Sequence, residues 1–137
     1  MKIVLDTNVL VSALIKKGKP RNLLFAILRR HELVLSKGIL EEFAETAADP
    51  KVRKYVSEQD VARLLKDIMN AVKIVRVRSN FKVVEEDPDD DIVLRTCYDG
   101  KAKYVVSGDR HLLALRTFRS IRIVTIDEML KILKKRD

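Results

Sequence analysis

The sequence contains few of the residues that build disulfides, zinc sites or linkers: one Cys, two His, three Pro and four Gly among 137 residues. A single cysteine, Cys97, excludes an intrachain disulfide and any paired-cysteine metal site. No apolar run approaches the roughly 18 residues that a membrane-spanning helix needs. No repeat, low-complexity tract or linker divides the chain, so we expect one domain over residues 1–137. Because Met1 leads directly into an apolar strand-like segment, we expect no signal peptide and a cytoplasmic location.

Charge is abundant and unevenly placed. The formal net charge is +8, and basic residues are spread along the whole chain. Acids are instead concentrated in residues 85–91, where six of seven side chains are carboxylates. A basic body around a local acidic site suits a polyanionic ligand. A charged fraction of 35% is equally typical of a well-solvated surface, so charge alone does not choose between these interpretations.

Apolar segments alternate with helical patterns along the chain. Short runs rich in β-branched residues predict buried strands at 2–5, 33–35, 104–106 and 121–125, with a short additional strand at 72–77. Helical periodicity and capping residues predict helices at 9–15, 20–30, 37–48, 57–71, 88–98 and 127–134, and a helical turn at 110–115. Nearly uniform apolar strands between helices predict an α/β fold, a three-layer α/β/α sandwich with a central parallel sheet.

Four acids lie just past a predicted strand or within the first two turns of a predicted helix: Asp6, Glu42, Asp90 and Asp109. In open parallel sheets, ligands bind beyond the carboxyl ends of the strands, where these side chains should meet. Two charges about 5 Å apart repel by about 3 kcal/mol at an effective dielectric constant of about 20, so clustered carboxylates must take up protons or bind a cation. All-oxygen ligands favour Mg²⁺ or Mn²⁺, and such an ion supports hydrolysis of a phosphodiester.

Three of these acids also have a structural interpretation. Asp6 precedes a predicted helix, and aspartate is a favourable N-cap residue. Asp90 lies at a helix start, where acids complement the helix dipole. Asp109 is in a Ser-Gly-Asp turn.

The helix wheel does not choose between Glu41 and Glu42, because both flank the apolar stripe of their helix at similar angles. Asp127 is interpreted as the cap of the last helix and is left out of the site. Asp87 and Asp91 stay open as further members, because the acids beside Asp90 are so densely spaced.

The segment VLDTNVL at residues 4–10 resembles the opening motif of PIN-domain nucleases. Residues 35–43 (LSKGILEEF), 87–94 (DPDDDIVL) and 105–113 (VVSGDRHLL) are similar to the second, third and fourth motifs, in the family's order. The resemblance assigns the metal-binding acids to Asp6, Glu42, Asp90 and Asp109, and it favours Glu42 over Glu41. In the family, threonine is commoner at Ser107.

The resemblance implies an Mg²⁺- or Mn²⁺-dependent endoribonuclease, frequent homodimers, and, for many small members, a toxin neutralised by an antitoxin protein. In the mechanism that we expect, Asn8 and Ser107 fix the geometry of the carboxylates, and Arg110 is a candidate phosphate contact. A structure-specific DNA nuclease and an RNA-binding module without activity are the alternatives. A phospho-acceptor receiver domain is disfavoured, because residues 5–7 and 125–127 lack its acid pair and its lysine.

Overall fold

A six-stranded sheet forms the centre of the computed structural model, which describes residues 1–85 and 87–136 apart from the side chain of Asp89. Its strands are β1 (Lys2–Leu5), β2 (Glu32–Ser36), β3 (Lys73–Val75), β4 (Tyr104–Val106), β5 (Thr117–Phe118) and β6 (Ile121–Val124). Their order across the sheet is β3-β2-β1-β4-β6-β5. All neighbouring strands are parallel except β5 and β6, which form an antiparallel hairpin.

Eight helices among the described residues complete the fold. They are α1 (Thr7–Ile15), α2 (Lys19–Arg30), α3 (Lys37–Ala47), α4 (Pro50–Arg53), α5 (Glu58–Ala71), α6 (Pro88–Asp99), α7 (Arg110–Leu115) and α8 (Ile126–Arg136). None of these helices is both long enough and apolar enough to cross a membrane.

Both faces of the sheet are covered by helices. Ile3, Val4 and Leu5 of β1 are each 0% exposed, although successive side chains of a strand point to opposite faces. Helix α6 packs on β1, β2 and β4, whereas α2 and α3 contact β2, and α7 contacts β6. The predicted sandwich of helices around a central sheet is therefore confirmed, and the additional strand expected at 72–77 is present in the shorter form of β3.

Two features of the predicted fold need correction, and a third correction, given below, concerns a helix cap. The sheet is not wholly parallel, because β5 pairs in the antiparallel sense with β6 through a two-residue loop. Its two residues were too short a run for periodicity to detect. Helix α4 was also missed; it is a four-residue helix with Pro50 in its first turn, capped by Asp49, whose side chain accepts a hydrogen bond from the Lys51 amide.

Asp127 does not cap α8. The helix begins one residue earlier, and Thr125 and Glu128 instead exchange backbone-to-side-chain hydrogen bonds of 3.1 Å each, the pattern of a capping box. Asp127 lies in the first turn, where its carboxylate pairs with Lys19 Nζ at 2.9 Å. The expected cap of α5 at Ser57 is confirmed, and Asp60 returns the bond.

The strand order places a crevice between β1 and β4. From β1 the chain proceeds through β2 to β3 on one side of the sheet, and it then returns to add β4, β6 and β5 on the other. The reversal point of such a sheet leaves a crevice at the carboxyl ends of the two central strands. Asp6 directly follows β1, and Asp109 follows β4 by three residues. Both acids therefore lie at the switch point of the topology.

Helix α6 is held close to the sheet by a small residue and a polar contact. A Cβ atom at Gly100, just beyond α6, would lie 2.7 Å from Val34 Cγ1, 2.9 Å from the Thr96 carbonyl oxygen and 2.9 Å from Val75 Cγ2. Within α6, Thr96 Oγ1 lies 2.8 Å from Ser36 Oγ at the end of β2. The approach of α6 to β2 and β3 thus requires glycine at position 100.

Gly100→Ala is expected to lower the free energy of unfolding by about 1–3 kcal/mol, because the added methyl group meets backbone and packed valines. Gly108→Ala is the matched control, since a Cβ atom there has no neighbour within 4 Å. Urea denaturation of both variants measures the difference. Equal stability of the two variants would contradict this account of the helix packing.

Candidate metal centre

Asp6 is fixed at the end of β1 by two contacts with the segment that ends β4. Its backbone amide donates to the Val106 carbonyl at 3.0 Å, and its Oδ2 accepts a 2.7 Å hydrogen bond from Ser107 Oγ. The residue is 6% exposed. It occupies the N-cap position of α1 but makes no side-chain capping hydrogen bond. The amides of Thr7 and Asn8 nevertheless act on its carboxylate and lower its pKa, so capping accounts for this carboxylate only in part.

Asp109 combines a capping role with a place in the site. Its Oδ1 accepts from the amides of His111 at 2.8 Å and Leu112 at 3.2 Å, which caps α7. Its own amide donates to Ser107 Oγ at 3.0 Å. The Ser107 hydroxyl thus binds both Asp6 and Asp109, which is the positioning contact expected of this residue. Asn8, for which the same role was expected, is exposed in the first turn of α1.

Three carboxylates meet at the start of α6. One oxygen from each of Asp87, Asp90 and Asp109 lies within 4.8 Å of the other two. Asp90 is 5% exposed, and its Oδ2 is buried without a hydrogen-bond partner among the described residues. Asp6 is outside this group of three, but its negative charge acts on Asp90. The structure therefore brings Asp6, Asp90 and Asp109 together and adds Asp87 to them.

Crowding of these carboxylates changes their proton affinity. Burial, followed by the charges of Asp109, Asp87 and Asp6 and a hydrogen bond shared with Asp109, raises the pKa of Asp90 to about 7. Burial also raises the pKa of Asp6, with the charge of Asp109 adding to the effect. The Ser107 hydroxyl and the backbone amides at the start of α1 oppose that rise. In the absence of a cation, Asp90 is consequently half-protonated near neutral pH.

The oxygen set fits a hard divalent cation. Carboxylates converge within a few ångströms, and a buried oxygen of Asp90 points to no protein donor among the described residues. Mg²⁺ and Mn²⁺ prefer such oxygen ligands, and binding would relieve the mutual repulsion that raises these pKa values. The single cysteine is buried at the other end of α6 and is not part of this set.

Asp91 performs a different task from its neighbours. Its Oδ1 accepts from the amides of Val83 at 2.9 Å and Val84 at 3.0 Å. Arg95, one turn later, donates to the Phe81 carbonyl, and Asp99 accepts from the amides of Arg78 and Ser79. These three α6 residues hold the strap, defined as residues 76–85 between β3 and α6, against the helix. Asp91 is therefore an anchor of the strap.

The spacing of those anchors was visible in the sequence. Residues 91, 95 and 99 are four apart and share one face of a helix. The sequence did not indicate which segment of the chain that face contacts. Asp87 was likewise an open candidate, because acids on both sides of Pro88 compete for the same role. The roles of these acids differ because their side chains leave the start of α6 in different directions.

Glu42 lies on α3, which packs against α1 and α6, and its side chain is half-buried. It is not a member of the group formed by Asp87, Asp90 and Asp109. Glu41 is exposed, and its carboxylate lies 3.7 Å from Lys37 Nζ one turn earlier. Of the pair that the helix wheel left tied, Glu42 is thus the one directed toward the protein.

Comparison with known proteins agrees with the geometry. The sequence profile of the PIN domain matches residues 2–111, a range that contains Asp6, Glu42, Asp87, Asp90 and Asp109. An uncharacterized protein of Methanocaldococcus jannaschii is 34% identical over 119 residues, covering 85% of this chain and 76% of that protein. A chain from the crystal structure of VapBC2 from Rickettsia felis, bound to a DNA fragment from their promoter, superposes with a TM-score of 0.62. That match has 14% identity and covers 91% of this chain and 98% of the other, so it concerns the fold.

The stability of the metal-free protein should depend on pH through Asp90. In the folded state this carboxyl keeps its proton up to a pKa of about 7, whereas its ordinary value is 3.8. Between those values the folded protein binds more protons than the unfolded chain, so stability declines as the pH rises from about 4 to about 7. Asp90→Asn removes this contribution, and urea denaturation in EDTA should show a shallower decline. Glu45→Gln, at an exposed carboxylate of α3, is the control; parallel profiles for wild type and Asp90→Asn would exclude the assigned shift.

Asp91→Ala should destabilise the protein by about 1–3 kcal/mol, because the amides of Val83 and Val84 would lose their acceptor. Asp91→Asn keeps an oxygen at the same position and should lose less. Urea denaturation distinguishes the two variants. If alanine and asparagine were equally tolerated, the anchoring role of Asp91 would be wrong.

Proposed function

Because the chain belongs to the PIN-domain family of nucleases, we propose that it is a divalent-metal-dependent endoribonuclease that hydrolyses RNA phosphodiester bonds at the acidic site. The observation that carries the proposal is the convergence of Asp87, Asp90 and Asp109 within 4.8 Å, around a buried Asp90 oxygen without a partner among the described residues. The arrangement is separate from the anchoring of the strap, because Asp91 and not Asp90 holds the strap.

Asp6, Asp90 and Asp109 are the proposed ligands of Mg²⁺ or Mn²⁺, with Asp87 as an additional oxygen donor. Glu42 is proposed to ligate through water or to orient the attacking water molecule. When bound, the ion supplies a Lewis acid that polarises the phosphate and lowers the pKa of a water molecule. The half-buried position of Glu42, against the exposed position of Glu41, supports this choice.

The remaining residues of the site orient these carboxylates. Ser107 donates to Asp6 and accepts from the amide of Asp109, so one hydroxyl sets the relative position of two acids. The amides at the start of α7 hold Asp109 Oδ1 in place. Contacts of this kind limit the rotamers of metal ligands before any ion arrives. Exposed Arg110, next to Asp109, is a candidate contact for an RNA phosphate.

The excess of basic residues supports a polyanionic substrate. A net charge of +8 attracts RNA over distances longer than a direct contact, while the acidic site stays local. An RNA strand held by the surrounding cations would place its backbone against the cation-loaded carboxylates, where metal and phosphate charges attract. RNA is preferred to DNA here on the family resemblance of the four motifs, and the assay below compares both.

Incubation of the purified protein with single-stranded RNA and single-stranded DNA in Mg²⁺, Mn²⁺ or EDTA tests the proposal. Wild type should cut RNA only with a divalent ion, and Asp6→Asn and Asp90→Asn should each reduce the rate by on the order of 100-fold or more. Asp127→Asn, at an exposed carboxylate paired with Lys19, should cut at the wild-type rate. Undiminished cutting by Asp90→Asn, or none by wild type, would refute the assignment.

We further propose that the protein acts in the cytoplasm as the toxin of a toxin–antitoxin pair, forms a homodimer and binds an antitoxin protein. The structural likeness to a chain of the VapBC2 complex supports this role at the level of the fold. Induced expression in a bacterial host should arrest growth for wild type but not for Asp90→Asn. Light scattering on the purified protein measures the homodimer, and normal growth with active wild type would argue for a housekeeping nuclease.

A further inference from the structure

A second, basic cavity lies at the opposite end of α6 from the acidic site. It measures about 440 Å³, a size typical of small-ligand sites. Its polar lining comes from Tyr98, Lys101, Lys103, Arg119 and Ser120, and its apolar lining includes Cys97 and Ile121. The three basic side chains are exposed, and none of the described residues that line the cavity is acidic. We call this site the basic cavity.

More positive charge lies close to the basic cavity. Interaction with Lys73 lowers the pKa of Lys2, the charge of Glu32 opposes this effect, and Lys101 adds to it. Lys2 and Lys73 do not line the cavity, so the positive charge that a ligand in it would meet is that of Lys101, Lys103 and Arg119. The environment of the cavity is therefore suited to a ligand with several negative charges.

Two of the basic residues are held in a backbone conformation that favours glycine. Lys101 has φ 56° just after α6, and Arg119 has φ 55° as the first residue of the two-residue loop between β5 and β6. Glycine is the commonest residue at both kinds of position, because a side chain is strained there. Strained residues of this kind occur preferentially at functional sites. Arg116 has a similar φ outside the cavity, so strain alone does not mark a site; at Lys101 and Arg119 it coincides with the lining of the cavity.

The cavity also offers a planar stacking surface. The guanidinium carbon of Arg119 lies 4.6 Å from the ring centroid of Tyr98, 5.0 Å from that of Phe81 and 5.1 Å from that of Phe118. Tyr98 is 43% exposed, although its neighbours on α6 are largely buried. Exposed aromatic rings and arginine planes are the groups on which nucleic-acid bases stack.

From these features we propose that the basic cavity binds a nucleotide of single-stranded RNA away from the bond that is cut, with its base against Tyr98 and Arg119 and its phosphates at Lys101 and Lys103. The 12-residue α6 between the two sites is about 18 Å long, which corresponds to roughly five nucleotides of a stacked strand. The cavity therefore holds a nucleotide roughly five positions along the strand from the bond that is cut. This inference rests on the proposed function for its choice of RNA.

Lys101→Gly is the most informative variant, because it removes the charge and relieves the backbone strain together. Its melting temperature should equal or exceed that of wild type, while its affinity for a fluorescein-labelled uridine decanucleotide in EDTA should fall by about tenfold. The slope of log K against log salt should also decrease by about 0.7, the value for one lost phosphate contact on a single strand. Fluorescence anisotropy measures both. Lys101→Asn, which tolerates the same φ, serves as a second variant.

Arg116→Gly is the matched control. Arg116 has φ 59°, so its replacement also relieves strain and removes one positive charge, but it lies outside the basic cavity. It should bind the decanucleotide with wild-type affinity. Failure of wild type to bind, equal loss in Arg116→Gly, or unchanged binding in both Lys101 variants would overturn the inference.

The binding assay separates this inference from the proposed function. Because EDTA prevents metal-dependent cutting, binding is measured whether or not the protein is a nuclease. If wild type cuts RNA but the Lys101 variants bind normally, the inference about the basic cavity is refuted and the proposed function is not. A wild type that binds through Lys101 but cuts nothing would refute the nuclease alone.

Discussion

Electrostatic repulsion among the carboxylates at the switch point of the sheet is the constraint on which the site depends. Asp90 is buried beside Asp87 and Asp109, and the charge of Asp6 acts on it as well. Such a cluster is stable only if protons or a cation reduce its charge. Near neutral pH one proton is only half retained, because the pKa of Asp90 is about 7. The folded protein therefore presents a partly charged oxygen cluster whose repulsion a bound divalent ion would relieve.

Neutral groups keep this cluster in place. The Ser107 hydroxyl bridges two acids whose positions in the chain are about a hundred residues apart, and backbone amides of α7 hold one oxygen of Asp109. Neither contact neutralises a charge, so both position the carboxylates without removing the need for a cation. Asp91 follows Asp90 in the chain, but its Oδ1 accepts hydrogen bonds from backbone amides of the strap. Two adjacent residues therefore have different roles: Asp90 belongs to the acidic site, and Asp91 stabilises the fold.

Helix α6 joins the acidic site and the basic cavity. Its first turn carries acids and its end is followed by lysines, an arrangement that also complements the helix dipole. Local helix stability and the proposed handling of RNA consequently favour the same distribution of charge, and charge pattern alone cannot separate them. The side chains at the end of α6 can, because helix electrostatics does not require an exposed Tyr98 beside the guanidinium plane of Arg119.

Sequence by itself determined the layered fold and the placement of Asp6 and Asp109, because buried parallel strands are apolar along their whole length and an acid that follows one must lie at the sheet's carboxyl edge. It also supplied the motif that favours Glu42. Tertiary structure decided that Asp87 joins Asp90, that Asp91 holds the strap, that Thr125 and not Asp127 caps α8, and that Arg119 reaches Tyr98. In each case several similar residues stand close together in the chain, and local propensity is the same for all of them. Their roles differ only through partners that are distant in sequence, and those partners are brought near by folding.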